Sequence, residues 1–110
     1  MYIEDFGKSR PLSANEAKAL SVKVQCAALP GRAEYEAHLL AAGFPDVSMS
    51  DVTVAWRDFT ASRLAMFRTA RTRCIAVHGQ EIVDDLDDFY GAVAQLFQDG
   101  AIAGLKIIAR

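Results

Sequence analysis

The chain has 110 residues, of which 52% are hydrophobic and 24% are charged, so one folded domain over residues 1–110 is expected and disorder is excluded. A net charge of -2 predicts no general affinity for nucleic acid, and no apolar run approaches the roughly 20 residues of a membrane span. Acids near the N-terminus do not suit a signal peptide, so a cytoplasmic location is expected.

The chain begins with a predicted strand, Tyr2–Phe6, and a polar turn follows it. Ser13 and Glu16 then have the spacing of a capping box, in which each side chain bonds the backbone amide of the other residue. This motif predicts a helix within Leu12–Leu29. Pro30 prevents that helix from continuing.

A second helix and a second strand are predicted next. The helix covers Arg32–Ala42, where Gly43 suits the left-handed residue after a helix end and Phe44 suits its apolar partner. Asp46–Val54 alternates like a strand, but the alternation changes phase at Ser50. The change of phase predicts a bulge or a bend within this strand.

The rest of the chain predicts two helices and a last strand. Ala55–Val77 is expected to form one long helix with Phe59 and Val77 among its inward side chains. Glu81–Gln98 has the clearest apolar stripe of the chain. Ile102–Ala109 leaves neither of its faces polar, which predicts a central strand in a sheet covered on both sides.

Cysteine and histidine residues give little sign of chemistry. Cys26 and Cys74 fall in predicted helices, and two buried, reduced thiols are expected. A disulfide or a metal pair is the alternative, although no CxxC or Cys/His cluster accompanies the two cysteines. His38 and His78 lie far apart in the sequence. No catalytic residue and no metal site is predicted.

Charged residues are concentrated where the long helix meets the next one. If the two helices form an antiparallel hairpin, surface ion pairs are expected between them, and phosphate or metal binding is the alternative. Arg63 lies between Phe59 and Phe67 and either extends outward, which we favour, or pairs with an acid in a cleft. The charged residues concerned are Arg57, Arg63, Arg68, Arg71, Arg73, Glu81, Asp84, Asp85, Asp87 and Asp88.

Four segments resemble, in order and spacing, the C-terminal portion of class I S-adenosylmethionine (SAM)-dependent methyltransferases. They are YIEDF, PLSANEAKAL, LPGRAEYEAHLLAAGFPDVSMSDVT and VHGQEIVDDLDDFYGAVAQLFQDGAIAGLKIIAR. The resemblance implies an α+β fold with a small three-stranded mixed sheet in the order 1-3-2. The last strand would be central and antiparallel, and about four helices, some of them a cap, would accompany the sheet.

The cofactor-binding part of that family has no counterpart here. The family binds SAM at a glycine-rich turn after its first strand, whereas no two glycines of this chain have G-x-G spacing. SAM binding is therefore not expected from this chain alone, and the chain is not expected to be a self-sufficient methyltransferase. Whether it serves an enzyme stays open at this point, with a non-enzymatic role favoured.

Candidate ligand-binding residues come from the first strand and from aromatic positions. The resemblance places the end of the first strand at the family's active-site cleft, although two solvated acids are the simpler interpretation there. Aromatic residues between the cap helices could line an apolar pocket, or they could simply be core. The candidates are Glu4, Asp5, Tyr35, Trp56, Arg63 and Tyr90.

The outer edge of the first strand is the candidate interface. In the family another strand covers this edge, so here it would present unpaired backbone groups. A homodimer or a higher homo-oligomer is expected, with Tyr2, Ile3 and Phe6 as interface residues. We therefore predict a non-catalytic oligomeric binding module that holds a small apolar ligand. The alternative is the substrate-binding cap of a split methyltransferase whose partner is a separate SAM-binding polypeptide.

Overall fold

A computed structural model describes every residue from Met1 to Arg110. Three strands and five helices follow one another along the chain. They are β1 (Tyr2–Lys8), α1 (Ala14–Val22), α2 (Arg32–Ala41), β2 (Val47–Asp51), α3 (Thr53–Thr69), α4 (Arg71–His78), α5 (Gln80–Gln98) and β3 (Ile102–Ala109).

The three strands form one sheet in the order β1-β3-β2, and both pairings are antiparallel. Tyr2 lies opposite Ile108 in one pairing, and Asp51 lies opposite Leu105 in the other. The expected α+β fold and the central, antiparallel position of the last strand are confirmed, with five helices in place of about four. The sheet was expected to be mixed, but it is antiparallel throughout because β3 lies between β1 and β2 and runs opposite to both. The strand β3 begins and ends at the residues predicted for the last strand.

The α2 face of the sheet is covered by the single helix α2. Leu105 and Ile107 of β3 are buried there together with Leu39 of α2. Ile3 of β1 and Met49 of β2 pack at the margins of this cluster. Residues aligned across neighbouring strands share a face, so the register alone accounts for this grouping.

The opposite, α3–α5 face is covered only towards one end. Ile102 of β3 is buried there against Val93 and Phe97 of α5 and Leu20 of α1. Towards the other end of the same face, the side chains of β3 become exposed, as at Lys106. The helix α5 is the best-buried helix because it packs against α1, α3, α4 and the sheet.

The molecule has a larger solvent-accessible surface than is expected for a compact monomer of its mass. Its accessible surface is 6787 Å², whereas a 12.0 kDa monomer is expected to expose roughly 6,000 Å². Its radius of gyration is 15.8 Å, compared with roughly 13 Å for a compact domain of this length. The large exposed hydrophobic residues are Met1, Tyr2, Val22, Leu40, Val54, Phe59, Met66, Val77, Ile82 and Ile108.

The helix α1 begins at the predicted capping box but ends earlier than expected. The Ser13 hydroxyl accepts from the Glu16 amide, and the Glu16 carboxylate accepts from the Ser13 amide. The prediction that this helix continues towards Leu29 was wrong, because Gln25 adopts a left-handed φ of 59°. The Cys26 amide then donates to the Leu20 carbonyl, which closes the helix end without a glycine.

The second strand is shorter than predicted because α3 begins at Thr53. Asp51 accepts hydrogen bonds from the Thr53 amide and hydroxyl, which caps the start of this helix. The change of phase at Ser50 therefore lies at the end of the strand, where the chain turns into α3, and of the predicted bulge or bend the bulge was wrong. After α2, in contrast, Gly43 adopts the expected positive φ of 106°, and Phe44 packs on the α2 face as predicted.

The predicted long helix is divided into α3 and α4 at Ala70. Two of its expected inward side chains are exposed, Phe59 by 61% and Val77 by 71%, so that part of the prediction was wrong. Both positions have helical spacing, but no further layer of the chain covers that side of α3 and α4. None of the helices is both long and apolar enough to cross a membrane.

The predicted ion pairs between helices are present. Arg68 bonds Asp87 at 3.1 Å, and Arg71 pairs with Asp84 and Asp87, so α5 packs beside α3 and α4 as a charged hairpin. Cysteines differ from their prediction in two ways. Both are free but only half-buried, and Cys26 lies after α1 and not within a helix.

Candidate functional site

An open pocket lies where the α3–α5 face of the sheet loses its cover. It is bounded by β1 and the first turns of α3, and its volume is about 570 Å³. Apolar rings and small side chains form most of the lining, with one acid and one arginine. The lining residues are Glu4, Phe6, Ala55, Trp56, Phe59, Thr60 and Arg63.

Trp56 forms the floor of this pocket because Gly104 lets the indole lie against the sheet. A Cβ atom at Gly104 would meet the indole Cδ2 and Cε3 atoms at 2.6 Å, so only glycine fits. Phe6 meets the indole edge-on at a centroid distance of 5.6 Å and also contacts Phe97. Such edge-to-face contacts fix ring orientation as well as burying area.

Arg63 is held in the wall by aromatic rings and has no acidic partner. Its Cζ atom lies 4.6 Å from the centroid of Tyr90 and 5.4 Å from that of Phe59. Its Nε atom is buried and makes no hydrogen bond. No carboxylate oxygen lies within 4.0 Å of this side chain. The ion pair in a cleft that was the alternative for Arg63 is therefore absent, whereas its terminal nitrogens, unlike Nε, are not buried.

Glu4 contributes the only acid of the pocket. Its carboxylate accepts from the Tyr2 hydroxyl at 2.6 Å, and it lies opposite Lys106 on the uncovered part of the sheet. Lys106 extends over the Tyr2 ring at 5.6 Å. No group of three or more His, Cys, Asp or Glu residues comes together that could hold a metal ion.

Asp5 and Tyr35 lie on the other side of the sheet. The Tyr35 hydroxyl donates to Asp5 Oδ2 at 2.9 Å, and the Phe6 amide donates to Asp5 Oδ1 at 2.8 Å. Burial, and then the bond to Asp5, raise the pKa of Tyr35 to about 12. Both residues thus stabilise the packing of α2, at a distance from the pocket.

The structure therefore divides the candidate ligand-binding residues by face. It brings Glu4, Trp56 and Arg63 together in one pocket, with the Tyr90 ring behind the guanidinium of Arg63. Their role in binding stays a prediction. The list of candidates did not include Phe59 and Thr60 of α3, although Phe59 is one of the aromatic residues that the sequence offered for an apolar pocket.

The outer edge of β1 is partly protected. Odd residues of β1 bond β3, so the even residues direct their backbone groups outward. The Lys8 amide bonds the Pro30 carbonyl, and the Phe6 amide bonds Asp5, which leaves the backbone of Tyr2 and Glu4 free. Of the candidate interface residues, only Tyr2 is largely exposed, since Ile3 packs under α2 and Phe6 packs on Trp56.

No family model matches the chain, and no curated protein matches it by sequence. Solved structures do match. The phospholethanolamine N-methyltransferase 2 of Haemonchus contortus superposes with a TM-score of 0.80 at 17% identity, over 98% of this chain and 25% of that one. The cyclopropane synthase MmaA2 of Mycobacterium tuberculosis (TM-score 0.78, 15% identity) and the mycolic acid cyclopropane synthase CmaA1 (0.79, 15%) match over 99% of this chain and 43% of theirs.

These similarities establish the fold. The chain has the α+β architecture of the C-terminal part of SAM-dependent methyltransferases, as the sequence resemblance predicted. It spans between a quarter and less than half of the length of these three structures. At identities of 15% to 17%, the likeness is one of fold, and the activities of those enzymes do not transfer with it.

Proposed function

We propose that this chain is a substrate-binding module of the methyltransferase type, whose pocket holds a small, mainly apolar ligand. The observation that carries the proposal is the pocket at Trp56, with its apolar floor and two charged side chains. Ligand sites are typically concave and apolar with a few polar groups that orient the ligand. The pocket volume of about 570 Å³ suits a small molecule.

Under this proposal, SAM binds to another part of the enzyme. Two structures that share the fold contain S-adenosylhomocysteine together with a second molecule, phosphomonomethylethanolamine in one and CTAB in the other. By analogy, this chain would supply the wall that contacts the substrate. A SAM-binding segment, in the same or in a separate polypeptide, would close the cleft and provide the methyl donor.

The free edge of β1 is the proposed docking surface for that segment. It offers the unpaired backbone of Tyr2 and Glu4 next to the pocket, and a strand added there would extend the sheet. The surface in excess of a closed monomer is about 800 Å², which equals one side of a standard protein interface. Docking at this edge would complete the sheet and the cleft together.

Ligand binding can be measured with the fluorescence of Trp56, the only tryptophan of the chain. Titration with 1-octanol as a neutral apolar probe should change the emission in a saturable way. Phe59→Ala should weaken the binding, since this ring lines the pocket, whereas Met66→Ala, an exposed residue of the same helix, should not. An unsaturable response that is the same in all three proteins would contradict the proposal.

Titration calorimetry tests whether this chain binds SAM without a SAM-binding segment. The chain alone should give no heat with SAM or S-adenosylhomocysteine at millimolar concentration. A clear binding isotherm would refute the assignment of the chain to the substrate side.

A non-catalytic homo-oligomer is a second candidate, and the same exposed surface favours it. Two copies could pair their β1 edges symmetrically around Glu4, which would cover Tyr2 in each protomer. Sedimentation at micromolar concentration should then show a dimer that Tyr2→Pro weakens, because proline cannot donate from the outer edge. A stable monomer would remove this candidate and would leave the edge open for a SAM-binding segment.

A further inference from the structure

Arg63 is a charged side chain in a mainly apolar pocket, and an apolar ligand alone would not account for it. A guanidinium stays charged at any physiological pH and has five N–H donors. Arg68 near the end of α3 and Arg71 at the start of α4 pair their guanidinium groups with Asp84 and Asp87. Arg63 has only rings beside it, and its Nε donor is both buried and unpaired.

We propose that the ligand carries an anionic group that binds to Arg63. The inference rests on the proposed role of the pocket as a ligand site and adds the chemical class of the ligand. Phe59 and Tyr90 hold the guanidinium in place by contact with its cation, and neither ring can accept a strong hydrogen bond from it. Buried polar atoms nearly always have a hydrogen-bond partner, so the unpaired Nε of Arg63 is an exception that a bound ligand would explain.

Within the protein, Glu4 is the only acid that lines the pocket, and it is already engaged. Its carboxylate accepts the Tyr2 hydroxyl and lies farther than 4.0 Å from any nitrogen of Arg63. The terminal nitrogens of the guanidinium, which unlike Nε are not buried, are therefore open to an anion from solution. The negative charge of Glu4 on β1 would repel the anion and so favour its binding near Arg63 on α3.

The rest of the lining defines the body of the ligand. Phe6, Trp56 and Phe59 present aromatic surface, so an alkyl or aryl body fits beside them. A planar carboxylate matches the geometry of a guanidinium and can bond it through two oxygens. The ligand class is thus an amphiphilic carboxylate with a short apolar body.

The test compares three probes of equal chain length: octanoate, 1-octanol and octylamine, at neutral pH with Trp56 emission as the signal. Octanoate should bind about tenfold tighter than 1-octanol, as expected for one added charge-assisted bond. Octylamine, which is a cation, should bind more weakly than either. Arg63→Met should bring octanoate down to the affinity of 1-octanol. Arg57→Met, which changes a partly exposed arginine of the same helix outside the pocket, should leave the preference intact.

Two further variants test the role of Arg63 even if Arg63→Met fails to fold. Arg63→Lys retains the charge without the fork and should keep part of the preference, whereas Glu4→Gln should strengthen octanoate binding. Equal affinity for octanoate and 1-octanol in the wild type would overturn the anion assignment and leave the pocket proposal standing. Binding of none of the probes would overturn both.

Discussion

The two faces of the sheet are completed to different degrees, and two adjacent acids show the difference. Asp5 on the α2 face has its carboxylate bonded by the Tyr35 hydroxyl and by the Phe6 amide. Glu4, one residue earlier, faces an open pocket that also contains an arginine without an acidic partner. The first acid serves the packing of a helix, whereas the second is available to a ligand.

Because of this difference, we place the proposed ligand site on the face that folding leaves open. On the α2 face, one helix covers Leu105 and Ile107 and satisfies the nearby polar groups. On the α3–α5 face, α5 covers only the end near Ile102, and the sheet is exposed towards Lys106 and Ile108. An open face beside a free strand edge is unfavourable for an isolated chain and suitable for recognition.

The largest effect is expected from alanine substitution at two adjacent positions of β3, one on each face of the sheet. Ile107 is fully buried on the α2 face, and Ile107→Ala should destabilise the protein by about 2–5 kcal/mol. Ile108 is 40% exposed on the other face, and Ile108→Ala should cost less than about 1 kcal/mol. Denaturant unfolding measures both, and equal losses would show that the second face is also covered.

Gly104→Ala should have the next largest effect, because its Cβ would displace the indole of Trp56. A loss of about 1–3 kcal/mol is expected, together with a red shift of Trp56 emission as the ring moves towards water. The control is Gly91→Ala in α5, where a Cβ meets only the flexible end of Arg68 at 3.4 Å. That control should be neutral or stabilising by up to about 1 kcal/mol. An unchanged emission in the Gly104 variant would contradict the packing described for the pocket floor.

Tyr35→Phe tests the polar contact of the α2 face. Loss of its bond to Asp5 should reduce the free energy of unfolding by about 0.5–1.5 kcal/mol. Because folding raises the pKa of Tyr35 from 10.0 to about 12, this contribution is complete below pH 10 and disappears as the pH rises from 10 to 12. Tyr90→Phe, which keeps the ring behind Arg63, is the control. A difference between wild type and Tyr35→Phe that stays constant up to pH 12 would show that folding does not raise the pKa of Tyr35.

The smallest effect is expected at the covered end of the α3–α5 face, where Arg10 bonds Glu16 and the Asp99 carbonyl. The bond from Arg10, together with the bonds from Ser13, lowers the pKa of Glu16 from 4.5 to about 2. Its contribution to stability is therefore complete above pH 4.5 and is lost as the pH falls from 4.5 to 2. Glu16→Gln should remove this part of the acid sensitivity, as seen in unfolding midpoints against pH, and Glu36→Gln should not. Identical acid profiles for wild type and Glu16→Gln would count against the ion pair.

The sequence predicted those parts of the fold that local signals and burial determine together. The capping box at Ser13, the left-handed Gly43 and the apolar run of β3 each gave the right element. The end of α1 was missed because Gln25, a residue with no turn preference, takes the left-handed conformation so that Val24 and Cys26 can reach the core.

The site was predictable only in part, for a related reason. Trp56, Arg63 and Glu4 were identified by residue type, but which face of the sheet each residue joins depends on a register that a single sequence does not contain. Tyr35 was therefore grouped with residues from which the sheet separates it. Helical spacing likewise placed Phe59 in a core, whereas no other part of the chain covers it.

Mapping of amide shifts by NMR during titration with 1-octanol tests the central claim most directly. We expect chemical-shift changes concentrated at the pocket. They should appear in the indole N–H of Trp56 and in the backbone amides of Glu4, Phe6, Phe59 and Thr60. The amides around Leu39 on the α2 face should remain unmoved. Shifts centred on the α2 face, or none above those caused by solvent, would contradict the claim that the open face is the binding face.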